Sequence, residues 1–505
     1  MKRRWISFIC LLCVCASLSG CQSRESVAAV QVTLPPAEVK QTAPTADANT
    51  AYEQTVMMYL PSLDGARLVA VPQRVAVPAG QHMARMLCEV LLAHPGTENA
   101  AALGAGIRLT LADNNAVEVS GDVVTVNLSG FAMSLSSEQF FTVGQALANT
   151  ICQFGDVRYV NVLINGKQPG LNQAGTLPAG CFQMNMREDL AELWTRASTP
   201  MSLNRRAYTA SLYYPAPSGK GILCEARTFA AVSTDTASLT QTLLEALSAE
   251  SSLPRAPKCP DFRSLLADTP AVEELDGRRV LTLRFRDTMN AALIDAGITR
   301  SVMMASFVYT FTSFLPGISG VMVYIGDERI TSLTPSGVYQ RAGETMAFAD
   351  GVMTRQDFTG FLLAECSLYF ADENGRLCRV SRPVPSKDAF SARVIYEQML
   401  ERPQAFDSKT GLRSVLPEDL TPDDLLGVSY DGNVLLVNFS GKLASAAADM
   451  DGKAIENMIY SLVDTLCRLP GVRRVAIFVE GQQPETLGGT VYLPGDFMPS
   501  QNVED

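Results

Sequence analysis

The sequence predicts an α+β protein built from three tandem copies of one small domain. Each copy runs in the order ββαββαβ, with two helices packed on one face of a sheet. Three observations predict this. The stretch Ile459 to Gly481 reads as an apolar helix, a Pro-Gly stop and a hydrophobic strand closing on Gly. The same succession occurs at Ser306 to Glu328 and at Gln145 to Lys167. The copies lie roughly 155 to 160 residues apart, too far for a solenoid repeat and right for a small domain. The length of 505 residues also fits about three domains.

The chain opens with a positive stretch, Lys2 to Arg4, followed by the short apolar run Trp5 to Leu18. That run is too short for a comfortable membrane span and reads as a cleaved signal. Leu18-Ser19-Gly20-Cys21 resembles the lipobox of bacterial lipoproteins, which makes Cys21 the expected lipidation site and first mature residue. The alternative is a plain signal peptide with a chance cysteine. Residues 22–54, rich in Ala, Thr, Pro and Gln, read as a disordered tether.

The first copy begins with the strand Val56 to Leu60 and a turn at Asp64-Gly65. A second extended segment, Leu68 to Val77, leads to a helix over Gln81 to Ala93. Val117 to Ser129 alternates around Gly121-Asp122 as a hairpin. A second helix starts near Ser136, with Gly144 at a position suited to close approach, and Val157 to Ile164 is the last strand. The second copy repeats this from about Tyr208. Its second helix, Thr299 to Leu315, is apolar nearly all round, so it is expected to be buried on both sides. Met303, Phe307 and Phe314 are therefore expected to face another copy or another chain. In the third copy, Asp431-Gly432 is a type I′ hairpin signal. Each copy ends in a similar tail, carrying Phe182, Tyr339 and Phe497, and each tail is expected to tuck its aromatic against its own domain.

The expected boundaries are a signal peptide over 1–21, the tether over 22–54 and the first domain with its tail over 55–183. A linker with a short helix follows over 184–206, then the second domain over 207–340. A linker over 341–360, the third domain over 361–498 and a C-terminal tail over 499–505 complete the chain.

These motifs resemble the GerMN domain of sporulation and germination lipoproteins. The likeness rests on first strands such as Leu212-Tyr213-Tyr214-Pro215 and on a first helix ending Glu-x-Leu-Leu. It extends to the hairpin strands Val124 to Ser129 and Leu435 to Ser440, and to the helix-Pro-Gly-Val-strand unit. The resemblance implies an α+β fold similar to the ring-building motif of sporulation and secretion assemblies. It also implies a lipid-anchored, extracytoplasmic protein of a spore-forming Gram-positive bacterium, with an assembly role in the envelope and no catalysis. In the middle copy, Arg284 and Arg286 replace the Asn and Ser of the hairpin strand.

No catalytic constellation can be assembled. The two histidines, His82 and His94, stand at opposite ends of one helix, about 18 Å apart. No metal-ligand cluster and no cofactor motif appears. The net charge of −11 argues against nucleic acid. Glu89, Glu245 and Glu397 recur at one point of the first helix, as a shared contact or as solvated residues paired one turn away. Asn127 with Ser129, and Asn438 with Ser440, lie on one strand face, where they contact a glycan or a neighbouring strand, or simply decorate the surface. Cys152 and Cys467 are equivalent, with Ser313 between them in the middle copy. Cys224 and Cys378 form another equivalent pair, and Cys366 with Cys378 is the best disulfide candidate. The expected partners are the membrane through Cys21, a homo-oligomer or other envelope proteins, and peptidoglycan as the alternative ligand.

Overall fold

The computed structural model describes residues 41–48, 51–78, 80–104, 106–112, 115–154, 157–199, 206–335 and 343–500. The signal segment, Cys21 and the tail aromatic Tyr339 lie outside the described residues. The chain divides between Thr42 and Ala43 into two units, and every helix and strand named here belongs to the second.

The first repeat opens with a hairpin of β1 (Ala51–Pro61) and β2 (Leu68–Pro78), paired antiparallel along their whole length. Val56, Met58 and Leu60 alternate inward, as the period of two requires. Helix α1 (Ala84–Ala93) follows, then β3 (Val117–Ser120) and β4 (Val123–Leu128). Helix α2 (Ser137–Ile151) starts with a capping box between Ser136 and Gln139, and crosses over to β5 (Tyr159–Ile164), which pairs parallel to β4. The edge strand β6 (Phe182–Gln183) completes this sheet, and α3 (Leu190–Ser198) packs Trp194 onto Phe141.

The middle repeat carries the hairpin β7 (Arg206–Pro215) and β8 (Ile222–Ala231), then helix α4 (Thr236–Ser248). Strands β9 (Ala271–Leu275) and β10 (Arg278–Phe285), helix α5 (Arg300–Phe314) and β11 (Ile318–Ile325) follow. The third repeat has β12 (Leu363–Ala371), β13 (Leu377–Pro385), α6 (Ala392–Leu400), β14 (Leu425–Asp431), β15 (Val434–Phe439), α7 (Gly452–Leu466) and β16 (Arg474–Val479).

The element order agrees with the expectation, but the layering does not. The strands of each repeat form two sheets, a hairpin and a separate sheet around a parallel pair. The second helix lies between them. In the first repeat α2 packs on both β1 and β5, and α5 packs likewise on β7 and β11. A single sheet with both helices on one face is thus corrected to two sheets with the second helix enclosed. The reason is the helix itself, which covers the inner face of both sheets and keeps their edges apart.

One hydrogen bond recurs in all three repeats and ties helix to hairpin. The hydroxyls of Thr150, Thr310 and Thr465 accept from the backbone N–H of Tyr59, Tyr213 and Tyr369 at 3.1, 3.0 and 3.1 Å. Counted from these threonines, the middle equivalent of Cys152 and Cys467 is Thr312, one residue before Ser313. The offset arises because Pro316 follows Thr310 by six residues, one more than separates Pro470 from Thr465.

The tails also repeat, with one correction. Phe182 pairs with Val160 beside α2 and its ring packs on Phe140 and Phe141, while Phe497 bridges to Val475 and packs on Tyr460. In the middle repeat the bridge to the matching Val321 is made by Met353, fully buried. That tail therefore reaches into 341–360, expected to be linker. The turns differ as well. Asp276 and Gly277 both have positive φ, the type I′ form. At the third repeat Asp431 ends its strand opposite Val434, and only Gly432 of the turn is left-handed, which is type II′.

Residues 43–48, expected to be disordered tether, lie against the third repeat, and Ala51 to Gln54 are already part of β1.

Candidate functional site

The repeats meet at the hairpin tip of the first one. Ser120, 3% exposed, donates its hydroxyl to the carbonyl of Leu363 in the third repeat at 2.6 Å. The same oxygen accepts from the N–H of Cys224 in the middle repeat at 2.9 Å. One hydroxyl thus satisfies backbone groups of both other repeats. Beside it, Gly121 has φ +58°, and a Cβ there would stand 2.3 Å from the Cys224 carbonyl oxygen. Only glycine permits both the turn and this approach. Ser386 of the third repeat adds a 2.6 Å bond to the Val119 carbonyl.

Earlier on the same strand, Glu118 takes a bond from the Tyr309 hydroxyl of α5 at 3.3 Å and an ion pair from Arg355. Arg355 also donates to Ser313 at 2.8 Å, and its guanidinium lies 4.0 Å from the Tyr309 ring centre. Burial works against charge on Arg355, but Glu118, Tyr213 and Tyr309 together outweigh it and raise its pKa, so it stays charged. Burial also pushes up the hydroxyls of Tyr213 and Tyr309, so both stay neutral, and Tyr309 donates to Glu118. Asn161, 1% exposed on β5 and opposite Thr125, has neither amide atom bonded to protein.

Between the first and third repeats runs a seam of three cavities, of about 400, 300 and 860 Å³. His82 lines all three and packs on Phe390 with ring centres 5.1 Å apart. Its Nδ1 accepts from the N–H of Ala84, and His94 Nδ1 accepts from Gly96, so each histidine caps backbone. No group of three or more metal-ligating side chains occurs among the described residues.

The residues singled out from sequence are not brought together. Glu89 pairs with Arg85 at 3.0 Å and Glu245 with Arg263, both on the surface, and Glu397 is half-buried on α6. Asn127 and Asn438 accept from the N–H of Gly166 and Gly481 at 2.8 and 2.9 Å, holding the turn after the last strand. Ser129 shares a hydrogen with Thr110, and Ser440 donates to Asp424 at 2.7 Å. In the middle repeat Arg284 stands at the Asn position and stacks on Tyr324, 3.9 Å from its centre. Met303, Phe307 and Phe314, expected at an interface, are fully buried within their own repeat. Phe307 stacks on Phe285 and meets Phe262, while Phe314 meets Tyr208 and Phe229. The helix reaches its neighbour through Tyr309 instead.

The cysteine candidates are corrected too. Cys366 lies opposite Arg382 and Cys378 opposite Phe370, four positions along the strand, or about 13 Å. A disulfide needs Cα atoms within about 7 Å. Cys224 pairs with Tyr213, whereas Cys378 pairs one position further on, so the two are not equivalent. All eight cysteines of the described residues are free thiols, and burial pushes the Cys366 thiol up to about 12.

Sequence reasoning missed Ser120 and the three threonines. The threonines were visible as Asn-Thr-Ile, Tyr-Thr-Phe and Asp-Thr-Leu at one place in three helices. Ser120 carried no signal, since its partners lie 104 and 243 residues away.

Fold and junction define a class: a repeat protein of two-sheet α+β units locked together through backbone contacts at one hairpin tip. Within that class, two segments of the chain match one domain family. Residues 57–169 and 367–485 match the Germane family, described as sporulation and spore germination. Similar solved structures include the following three. The tandem GerMN domains of the sporulation protein GerM from Bacillus subtilis share 15% identity, covering 59% of this chain and 99% of that one, with a TM-score of 0.24. The first GerMN domain of the same protein shares 19% identity over 27% of this chain and 98% of that one, with a TM-score of 0.22. A candidate lipoprotein from Clostridium perfringens shares 19% over 27% and 87%, with a TM-score of 0.19. No curated protein matches the chain.

Proposed function

We propose that this chain is a non-enzymatic, lipid-anchored scaffold on the outer face of the cell membrane, serving an envelope assembly linked to sporulation or germination. In this reading the middle repeat is a third GerMN domain, and a lipid on Cys21 supplies the anchor. The observation that carries it is the Ser120 junction. A hydroxyl that closes backbone groups from two other repeats holds three small domains in one fixed arrangement. A fixed array of repeated faces suits heterologous contacts with envelope proteins or with further copies. The polar residues that recur between repeats are spent on holding turns and helices, which supports a structural role for them.

A second reading, binding of cell-wall peptidoglycan, draws on the seam cavities beside His82, whose walls include Arg85, Lys387 and Arg468. Sedimentation of the chain lacking residues 1–21, with and without purified peptidoglycan, separates the two. A scaffold self-associates or stays in the supernatant. A strict monomer that pellets with the wall would overturn the scaffold reading.

A further inference from the structure

We infer that the C-terminal segment Phe497 to Ser500 is held on the edge of β16 by a latch that closes when the Asp464 carboxyl carries a proton and loosens when it is ionised. Two anchors hold the segment. Phe497 exchanges both backbone hydrogen bonds with Val475, at 2.8 and 2.9 Å, and its ring packs on Tyr460. Three residues on, the N–H of Ser500 donates to Asp464 Oδ1 on α7 at 2.7 Å. The other carboxyl oxygen, Oδ2, is buried and has no hydrogen-bond partner.

The first repeat supplies the template for that oxygen. Asn149 precedes Thr150 as Asp464 precedes Thr465, and Asn185 follows Phe182 by three residues as Ser500 follows Phe497. Asn149 closes both backbone groups of Asn185. Its Oδ1 accepts from the N–H and its Nδ2 donates to the carbonyl, each at 2.9 Å. In the third repeat, Oδ2 of Asp464 takes the place of that nitrogen. A carboxylate only accepts, whereas a carboxylic acid also donates one hydrogen bond. The protonated acid therefore reproduces the asparagine clamp, with Oδ2–H directed at the Ser500 carbonyl. The ionised form sets two acceptors against each other in a buried site. The middle repeat has Tyr309 before its threonine and Met353 at the bridge, so the titrating clamp is particular to the third repeat.

The surroundings set the direction of the switch. Burial pushes the Asp464 carboxyl up to about 6, against the Ser500 N–H and Arg468, which favour the charged form. Among the described residues, Cys467 on the same helix and Tyr369 on β12 also feel its charge. Both are pushed up by burial and stay neutral across this range. On the segment itself, Asp496 faces Arg474 at 3.8 Å. The docked segment thus prefers the protonated acid, while release returns Asp464 to water, where it ionises near pH 4. Docking is strongest below about pH 4, weakens as pH rises to about 6 and changes no further above that. Release bares the N–H and C=O of Val475, an edge open to another extended strand. The latch goes beyond the scaffold reading, which needs no titrating group.

Amide hydrogen exchange of the full chain at pH 4.5 and 7.5, corrected for the intrinsic rate at each pH, tests it. Protection of the Phe497 and Ser500 amides is expected to fall about tenfold or more at the higher pH, while that of Asn185 in the first repeat stays level. Asp464→Asn installs the clamp of the first repeat and is expected to hold both amides at their low-pH protection throughout. Asn149→Asp is the converse, and is expected to make the Asn185 amide pH-dependent. Protected amides in α2 and α7 show that each variant is folded. Level protection of Phe497 and Ser500 in the parent overturns the latch. An equal fall in Asp464→Asn also overturns it, because the pH dependence then belongs to another group. A level Asn185 amide in the folded Asn149→Asp chain counts against it in the same way.

Discussion

Asp464 on α7 shows how one carboxyl can work against its own fold. It is buried, one oxygen accepts from the N–H of Ser500 at 2.7 Å, and the other has no partner. Burial pushes its pKa up from the usual range to about 6. The folded chain therefore holds a proton that the unfolded chain releases near pH 4. Stability falls as pH rises from about 4 to about 6, and this part of it is absent above that window. Asp464→Asn keeps the bond to Ser500 and removes the charge, as the first repeat already does with Asn149. The variant is expected to be more stable than the parent at pH 7.5 and to lose this slope. Urea unfolding at pH 4.5 and 7.5 reads both, and an identical slope in the two proteins would sink the assignment. The opposite case is Arg382, fully buried but with every nitrogen bonded, to Asp407 and to the carbonyls of Gln398 and Arg402. Full satisfaction, rather than burial, separates a harmless buried charge from a costly one.

At the scale of the element, the second helix holds each repeat together, and the repeated threonine is what fastens it. Thr310 and Thr465 satisfy buried N–H groups on the first strand, while Thr150 serves one only partly buried. Thr310→Val preserves shape and orphans the N–H of Tyr213. The expected cost is about 1 to 3 kcal/mol, against less for Thr150→Val. Chemical denaturation of the two variants checks the order, and a larger loss at Thr150 would contradict it. Much at this scale was legible in the chain. Helix stripes, the Pro-Gly stops and the alternating strands all depend on neighbours within a few residues. What misled was offset and turn type. Asp431 looks like the first residue of a type I′ turn, yet pairing to Val434 holds it in the strand. The middle tail contact sits at Met353 because an apolar residue of suitable reach, and no particular aromatic, is what Val321 needs beside it.

For the whole molecule, Ser120 is the point where three repeats become one body. Ser120→Ala leaves a buried N–H of the middle repeat and a carbonyl of the third unpaired. The expected loss is about 2 kcal/mol or more. The sharper readout is cooperativity: calorimetry of the variant should show a broadened or split transition where the parent unfolds in one. A single transition at the parent's temperature would show that the junction adds nothing.

The sequence by itself determined the repeat, the order of elements in each copy and the apolar stripes, because each of these is written in local spacing. It marked Met303, Phe307 and Phe314 for burial, but against another copy or another chain. Only the tertiary structure decided which core, since the second helix separates the strands into two sheets that together enclose those side chains. It likewise decided that Ser120 joins the repeats and that Ala43 to Ala48 lies on the third one. Hydrogen bonds between groups hundreds of residues apart leave no periodic trace in the chain, and only the fold brings their partners within reach.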